Sequence, residues 1–405
     1  MGNAYDNASL IVTPNAYKAS KIYALKPTDG SGDLSFSRAG SKMRRNSAGL
    51  WETIATNIPP LSYPVGGGCP SWLFEAESTN IFLSSEFTEN TNWFPLNCSK
   101  VLNSIQSPKD GFLATKVVED TSNDMHLNLQ VSTGGSNANH TISFYAKTNG
   151  RNIGVFNNGS GDPLNAVFDL TAGTVSGTGS PTITDAGSGW WLCTCQYNPS
   201  ISTYNIHLRL LNGTTASYLG DGVSGVYIWN TQMELGSTAT SPIITEGSSV
   251  TRLADVASKA DFGNTSTEGT VYYEIIASNI DSPNGQYIFQ LFEGSSVVST
   301  QYAEANSLCI IANGSTLQVR NNNSSIYSFT PVDGTTYKIA ITYNGSTISV
   351  FVDGVKVVNS VADTAVGVKN AFSIKNGELS IQQTRNIIFY QIVLSDLEAI
   401  ELTTL

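Results

Sequence analysis

Along most of this chain apolar and polar residues alternate with the two-residue period of a β-strand, and helical spacing is nearly absent. From about residue 82 onward the apolar runs are short and end in Gly, Asn, Asp or Pro, the punctuation of antiparallel strands. The clearest case is Gly225–Leu235, where Val226 and Ile228 fall on one face and Tyr227 and Trp229 on the other. Comparable runs at 80–83, 140–146, 153–156, 166–170, 190–196 and 205–211 bring this region to about eight strands, a jelly-roll number.

A second set of strands follows at Gly269–Ile276, 287–292, 307–312, 316–320, Thr336–Tyr343 and Thr347–Val352. The pairs Asn149-Gly150, Asn158-Gly159, Asn212-Gly213, Asn313-Gly314, Asn344-Gly345 and Asp353-Gly354 tolerate the positive φ of tight turns. Alternation on both sides of Asn344-Gly345 predicts a hairpin, and Asp353-Gly354 turns the next strand. Near the C-terminal end, Ser395 with Glu398 three residues on predicts a capped helix.

The first 80 or so residues fit this scheme poorly. Strand-like patches at 9–13 and 35–38 lie in an irregular stretch that ends in the Pro- and Gly-rich run from Ile58 to Pro70. The chain therefore divides into an irregular segment 1–80, a first sandwich 81–245, a polar linker 246–261 and a second sandwich 262–405. The expected fold class is all-β: two antiparallel β-sandwich (jelly-roll) domains in tandem after an irregular N-terminal leader. A leader of Gly, Pro and isolated aromatics cannot bury itself, so it is expected to pack on neighbouring subunits.

Composition narrows the function classes. Charged residues make up only 13% of the chain, about half the usual ~25%, so Ser, Thr, Asn and Gly must hydrate the surface. The net charge is −11, and no basic run exceeds Lys42-Met-Arg44-Arg45, which reads as a solvated loop. Such a chain repels phosphate backbones, and nucleic-acid binding is not expected. No apolar run approaches the roughly 18 residues of a membrane span, and the start Met1 to Asp6 lacks the pattern of a secretory signal. The five cysteines, Cys69, Cys98, Cys193, Cys195 and Cys309, include no CxxC pair. Cys193 and Cys195 share a strand face, poor geometry for a disulfide. They read as buried free thiols of a protein assembled in a reducing cytoplasm.

Several ordered motifs carry a resemblance. Ser35-Phe-Ser-Arg38 is followed by Gly49-Leu50, by Pro59 to Tyr63, and by Trp72-Leu-Phe-Glu-Ala-Glu-Ser-Thr-Asn80. Leu83-Ser-Ser-Glu-Phe to Trp93 then opens the first sandwich, and Gln232 to Asp255 closes it. Together these resemble bacteriophage virion structural proteins (fibre, decoration or tail-associated) in which a carbohydrate-binding-module-like jelly roll precedes a concanavalin-like sandwich. The stretch Tyr337 to Lys356 resembles the laminin-G-like member of that sandwich class. The resemblance implies a virion location, display of glycan-binding-like domains to a host surface, contact with other virion proteins through residues 1–80, and a homotrimer.

A retaining glycosidase needs two carboxylates close together, but Glu274 stands alone among apolar neighbours, Glu293 precedes a turn, and adjacent Glu119 and Asp120 point to opposite faces. His126, His140 and His207 accompany no nucleophile elbow, and Gly66-Gly67-Gly68 lacks the lysine of a phosphate loop. No enzymatic activity is expected, and a polysaccharide-degrading hydrolase is disfavoured. Glycan binding needs only an aromatic platform and polar grips, for which Trp190, Trp191, Tyr227 and Trp229 are the candidates. The competing reading makes most of these rings core or inter-domain packing, and Trp93 is read as core. No cofactor is certain. The resemblance also implies a structural calcium, with Glu86, Glu89 and Asp221 as candidate ligands. A purely architectural scaffold without glycan binding remains the alternative.

Overall fold

The computed structural model describes residues 6–87, 92–133, 137–157, 163–278, 282–294, 307–365, 367–375 and 381–404. It is all-β: antiparallel sheets stack as two sandwiches, with one short helix, Asp396–Thr404, near the C-terminal end.

The first sandwich has two six-stranded sheets. One runs in the order Phe94–Leu96, Leu127–Thr133, Thr203–Leu211, Asn152–Asn157, Asn165–Asp169 and Thr174–Gly177. The other runs Cys98–Gln106, Leu113–Glu119, Gly225–Leu235, His140–Asn149, Trp190–Tyr197 and Thr182–Gly187. Their facing sides interdigitate through Phe144, Ile153, Phe168, Ile206, Leu208 and Ile228, with Trp93 enclosed at one end as the sequence suggested. Asn149-Gly150 does not close a hairpin: the strands it joins belong to different sheets. Asn158-Gly159 lies outside the described residues.

The second sandwich shows that residues 6–80 are not an irregular leader, and the expected linker 246–261 carries two paired strands, Val250–Arg252 and Val256–Lys259. One sheet runs Val355–Ala362, Thr347–Val352, Thr336–Tyr343, Gly269–Ile276, Ile381–Tyr390, Ser71–Glu75 and Leu61–Ser62, and Leu10–Val12 also pairs with Ile381–Tyr390. The facing sheet begins with Tyr17–Lys18, Lys21–Ile22 and Leu34–Ser37. It continues through Val256–Lys259, Ala371–Lys375, Ser282–Phe292, Leu308–Gly314, Thr316–Asn321 and Ser324–Phe329. Leu10, Val12, Ile22, Leu34, Phe36, Leu61, Trp72 and Phe74 therefore enter the same core as Phe289, Phe372 and Phe389. Burying each such side chain contributes about 1.5–3 kcal/mol, so the segment satisfies its apolar surface inside its own chain.

Turn chemistry behaves as expected in this half. Asn344-Gly345 and Asn313-Gly314 close hairpins. Asp353 and Gly354 both adopt positive φ, 47° and 79°, between the paired residues Val352 and Val355. A two-residue turn with both centres left-handed matches the strand twist. The terminal helix opens on the predicted capping box: Ser395 Oγ lies 3.4 Å from the Glu398 N–H, and the Ser395 N–H donates to Glu398 Oε2 at 2.8 Å.

Candidate functional site

Strand Ser71–Glu75 has two working faces because its side chains alternate. Trp72 and Phe74 point into the second sandwich's core, while Leu73 and Glu75 meet the first sandwich. The hairpin of Lys42–Arg45 and Trp51–Ile54 lies at the same junction. Its Trp51 N–H donates to Pro108 O at 2.8 Å, and Trp51 Nε1 donates to Tyr145 Oη at 2.9 Å. Arg45 stacks 4.4 Å from the Trp51 ring.

This junction accounts for most of the predicted aromatic platform. Trp190 and Trp229 are 2% and 0% exposed, packed with Met43, Trp51, Leu73 and Tyr145, and Tyr227 is half-buried against the same cluster. Trp190 Nε1 donates to Gln106 O at 3.2 Å. Trp191 projects to the opposite side, as alternation requires, and packs half-buried against the first sandwich's core with its N–H on Leu170 O at 2.9 Å. The four rings form no common platform for a sugar.

Beneath the rings lies a charge network drawn from the quoted motifs. Arg38 Nη1 donates to Asp255 Oδ1 at 3.0 Å, and Lys42 Nζ reaches Asp255 Oδ2 at 2.5 Å and Glu75 Oε2 at 2.8 Å. Arg252 Nη1 donates to Glu75 Oε2 at 2.9 Å, and the Glu75 N–H donates to Asp255 Oδ2 at 2.9 Å. All five side chains are almost wholly buried. Lys42 is thus no solvated loop residue. Arg44 and Arg45 are also half-buried, Arg44 on Glu52 at 2.9 Å and Arg45 on Trp51. Burial pushes the Glu75 carboxyl up, but Arg252 and Lys42 outweigh it and hold the group down at about 2. Asn80 adds backbone-like bonds to Thr231 O and Ile243 O, and Glu234 accepts from Ser78 and Gln232.

The predicted calcium ligands do not converge. Asp221 accepts from the Val223 and Ser224 N–H groups and faces Arg151 Nη2 at 3.3 Å. The Ser224 hydroxyl and N–H and the Val223 N–H hold its carboxyl well below the usual carboxylate range. Glu86 sits instead in a cleft with Lys109 and Glu246, and Glu89 lies outside the described residues. Among the described residues no group of three or more His, Cys, Asp or Glu side chains is placed to hold a metal ion. The cysteines are free; Cys193, Cys195 and Cys309 are buried, whereas Cys69 is exposed, against the expectation, and Cys98 is half-buried.

Sequence reasoning missed the outer face of the other sheet of the first sandwich. Register aligns Phe94, Leu129, His207, Phe156 and Asn165 in one row across five strands. Leu96, Leu127, Arg209, Gly154 and Val167 form the next row. Residues directly opposite share a face; along these rows Phe94, Leu96 and Asn165 are exposed, Leu129, Phe156 and Arg209 half-buried, and Leu127, His207 and Val167 buried. Phe94 is 56% exposed, and Arg209 stacks 4.3 Å from the Phe156 ring. Burial and the Arg209 charge push the His207 imidazole down. Buried Arg209 Nε and His207 Nε2 have no hydrogen-bond partner, and no strand pairing among the described residues joins this sheet to the second sandwich. Alternation in 205–211 was the available signal, but it does not say which face is left open.

No family model matches this chain, and no curated protein matches it. Solved structures give distant likenesses. A Trypanosoma rangeli sialidase mutant displaying trans-sialidase activity matches at 13% identity over 36% of this chain, with a TM-score of 0.27, and the match spans only 25% of that protein. Domain 4 of AbnA, a GH43 extracellular arabinanase from Geobacillus stearothermophilus solved with arabinotriose, matches at 12% identity over 42% of this chain and 82% of its own, with a TM-score of 0.25. The exoplasmic/lumenal domain of VIP36, in a form bound to Ca2+ and Man3GlcNAc, matches at 12% identity over 35% of this chain and 76% of its own, with a TM-score of 0.26. Likenesses this distant carry no argument about ligand or activity.

Proposed function

We propose that this protein is a non-enzymatic structural subunit of a bacteriophage particle, a fibre, decoration or tail-associated component, that presents a glycan-binding sheet face to the host surface. The observation that carries the glycan part is the open face of the first sandwich, where Phe94, Phe156 and the stacked Arg209 lie in adjacent rows. A ring edge beside a guanidinium whose Nη2 meets His207 Nδ1 at 3.3 Å and whose Nε has no partner suits a sugar, which offers apolar C–H patches and hydroxyls together. The virion location, contacts with other virion proteins and a homotrimeric state belong to the same proposal and rest on the resemblance of residues 34–255. Residues 6–80 are engaged within the chain, so subunit contacts would use their exposed edges rather than a free arm.

A glycan array and a whole-cell binding assay with the full chain test this reading. Saturable binding is expected, weakened about two- to tenfold by Phe156→Ala or Arg209→Ala, the scale of losing a ring or cation–π contact of roughly 0.5–1.5 kcal/mol. Binding that ignores both substitutions would sink the open-face assignment. The architectural alternative is favoured by the enclosure of Trp190 and Trp229 in the junction, and the absence of any glycan binding by a well-folded oligomer would leave it standing.

A further inference from the structure

Beside the junction, and apart from the open face, lies a cleft of about 440 Å³ walled by Ser84, Glu86, Lys109, Phe112, Thr245 and Glu246. That volume is in the range of small-molecule sites. Two buried oxygens in its wall, Thr245 Oγ1 and Glu86 Oε1, have no hydrogen-bond partner, and Thr245 is only 1% exposed. Buried polar atoms are seldom left so. Phe112 and Ile244 add apolar surface, and the Lys109 ammonium sits 5.0 Å from the Phe112 ring.

We propose that this cleft binds a neutral polyhydroxylated ligand about the size of a single hexose. The charged groups balance: the Glu246 carboxylate offsets the Lys109 ammonium. Burial pushes the Glu86 carboxyl up to about 8, so it stands in the cleft as an uncharged acid at neutral pH. The charged groups facing it are Lys109, which pulls it down, and Glu246, which pushes it up, and the Trp229 indole lies near it. An uncharged carboxyl both donates and accepts, as does the Thr245 hydroxyl, whereas a carboxylate only accepts and an ammonium only donates. Donors and acceptors at zero net charge match vicinal hydroxyls, while a bare cation would meet Lys109 and a bare anion would meet Glu246. The site stands whether or not the open face binds glycans.

Titration calorimetry of the full chain with glucose, galactose, mannose and N-acetylglucosamine tests it, with calcium chloride and butylammonium chloride as comparison ligands. At least one hexose is expected to saturate in the millimolar range. In a Phe156→Ala background, which takes away the other face's own contribution, Glu246→Ala and Thr245→Val should each weaken it about tenfold, the worth of roughly one hydrogen bond. Wild-type binding should fall as pH rises through about 8, and Glu86→Gln, which keeps an uncharged donor and acceptor, should bind without that fall. No saturation by any hexose, saturation by calcium or butylammonium alone, or an affinity that neither Glu246→Ala nor Thr245→Val changes would each overturn the assignment. Hydrolysis of added lactose would overturn binding without turnover, and with it the non-enzymatic reading above.

Discussion

Asp255 receives the Arg38 guanidinium, the Lys42 ammonium and the Glu75 N–H in a space without water access. Breaking such a buried pair from one side leaves charges uncompensated, which costs about 3–5 kcal/mol. Asp255→Ala should lower the stability measured by urea unfolding by that amount, far more than an exposed pair such as Lys356–Asp396 would lose. Acid acts on the same network. Glu75 is held near 2 in the folded chain against an ordinary 4.5. Its contribution is therefore full above about 4.5 and is lost as pH falls toward about 2. Glu86 has the opposite sign: it keeps its proton in the folded chain up to about 8, while the unfolded chain gives it up near 4.5. Stability should fall as pH rises between those values, and Glu86→Gln should flatten that slope in thermal melts taken across the range. None of these shifts is visible in the sequence, where Lys42 looks like part of a basic loop. Burial and partner identity depend on residues more than 200 positions apart, such as Arg38 and Asp255.

At the level of elements, caps and turn pairs act through contacts only a few residues apart. The Ser395–Glu398 box forms as expected, and Ser395→Ala should cost the terminal helix about 1 kcal/mol, measurable as a lowered unfolding midpoint. That helix is tied to the neighbouring hairpin where the Gly354 N–H donates to Thr403 Oγ1 at 3.1 Å. A Cβ at Gly354 would lie 2.5 Å from Thr404 Oγ1 and would strain a left-handed backbone, so Gly354→Ala should loosen both elements. Asn149-Gly150 was legible as a turn but not as a crossing between sheets, because a turn pair specifies backbone angles and not the partner of the strand that follows.

For the whole molecule, the second sandwich is closed by strands from the first 80 residues together with Val256–Lys259. Leu10–Val12, Ser71–Glu75 and Leu61–Ser62 extend one of its sheets, and Leu34–Ser37 with Val256–Lys259 extends the other. A fragment of residues 262–405 would expose the core positions these strands cover. It should show no cooperative thermal transition by circular dichroism, whereas the full chain should. A cooperative melt of the fragment would contradict this account of the fold.

By itself the sequence determined the all-β class, the two sandwich regions, most strands, the Gly-containing hairpins and the capped helix. Each of these is written in a period, a turn pair or a cap within a few residues, where local sterics and hydrogen bonding act. Only the tertiary structure decided that residues 6–80 complete the second sandwich, that Trp190 and Trp229 are enclosed at a junction, and that Phe94 and Leu96 are exposed at the edge of the opposite sheet of the first sandwich. Alternation assigns side chains to two faces of a strand but cannot say what covers either face. That depends on pairings between distant segments, whose apolar and charged groups find partners only when the chain folds back on itself.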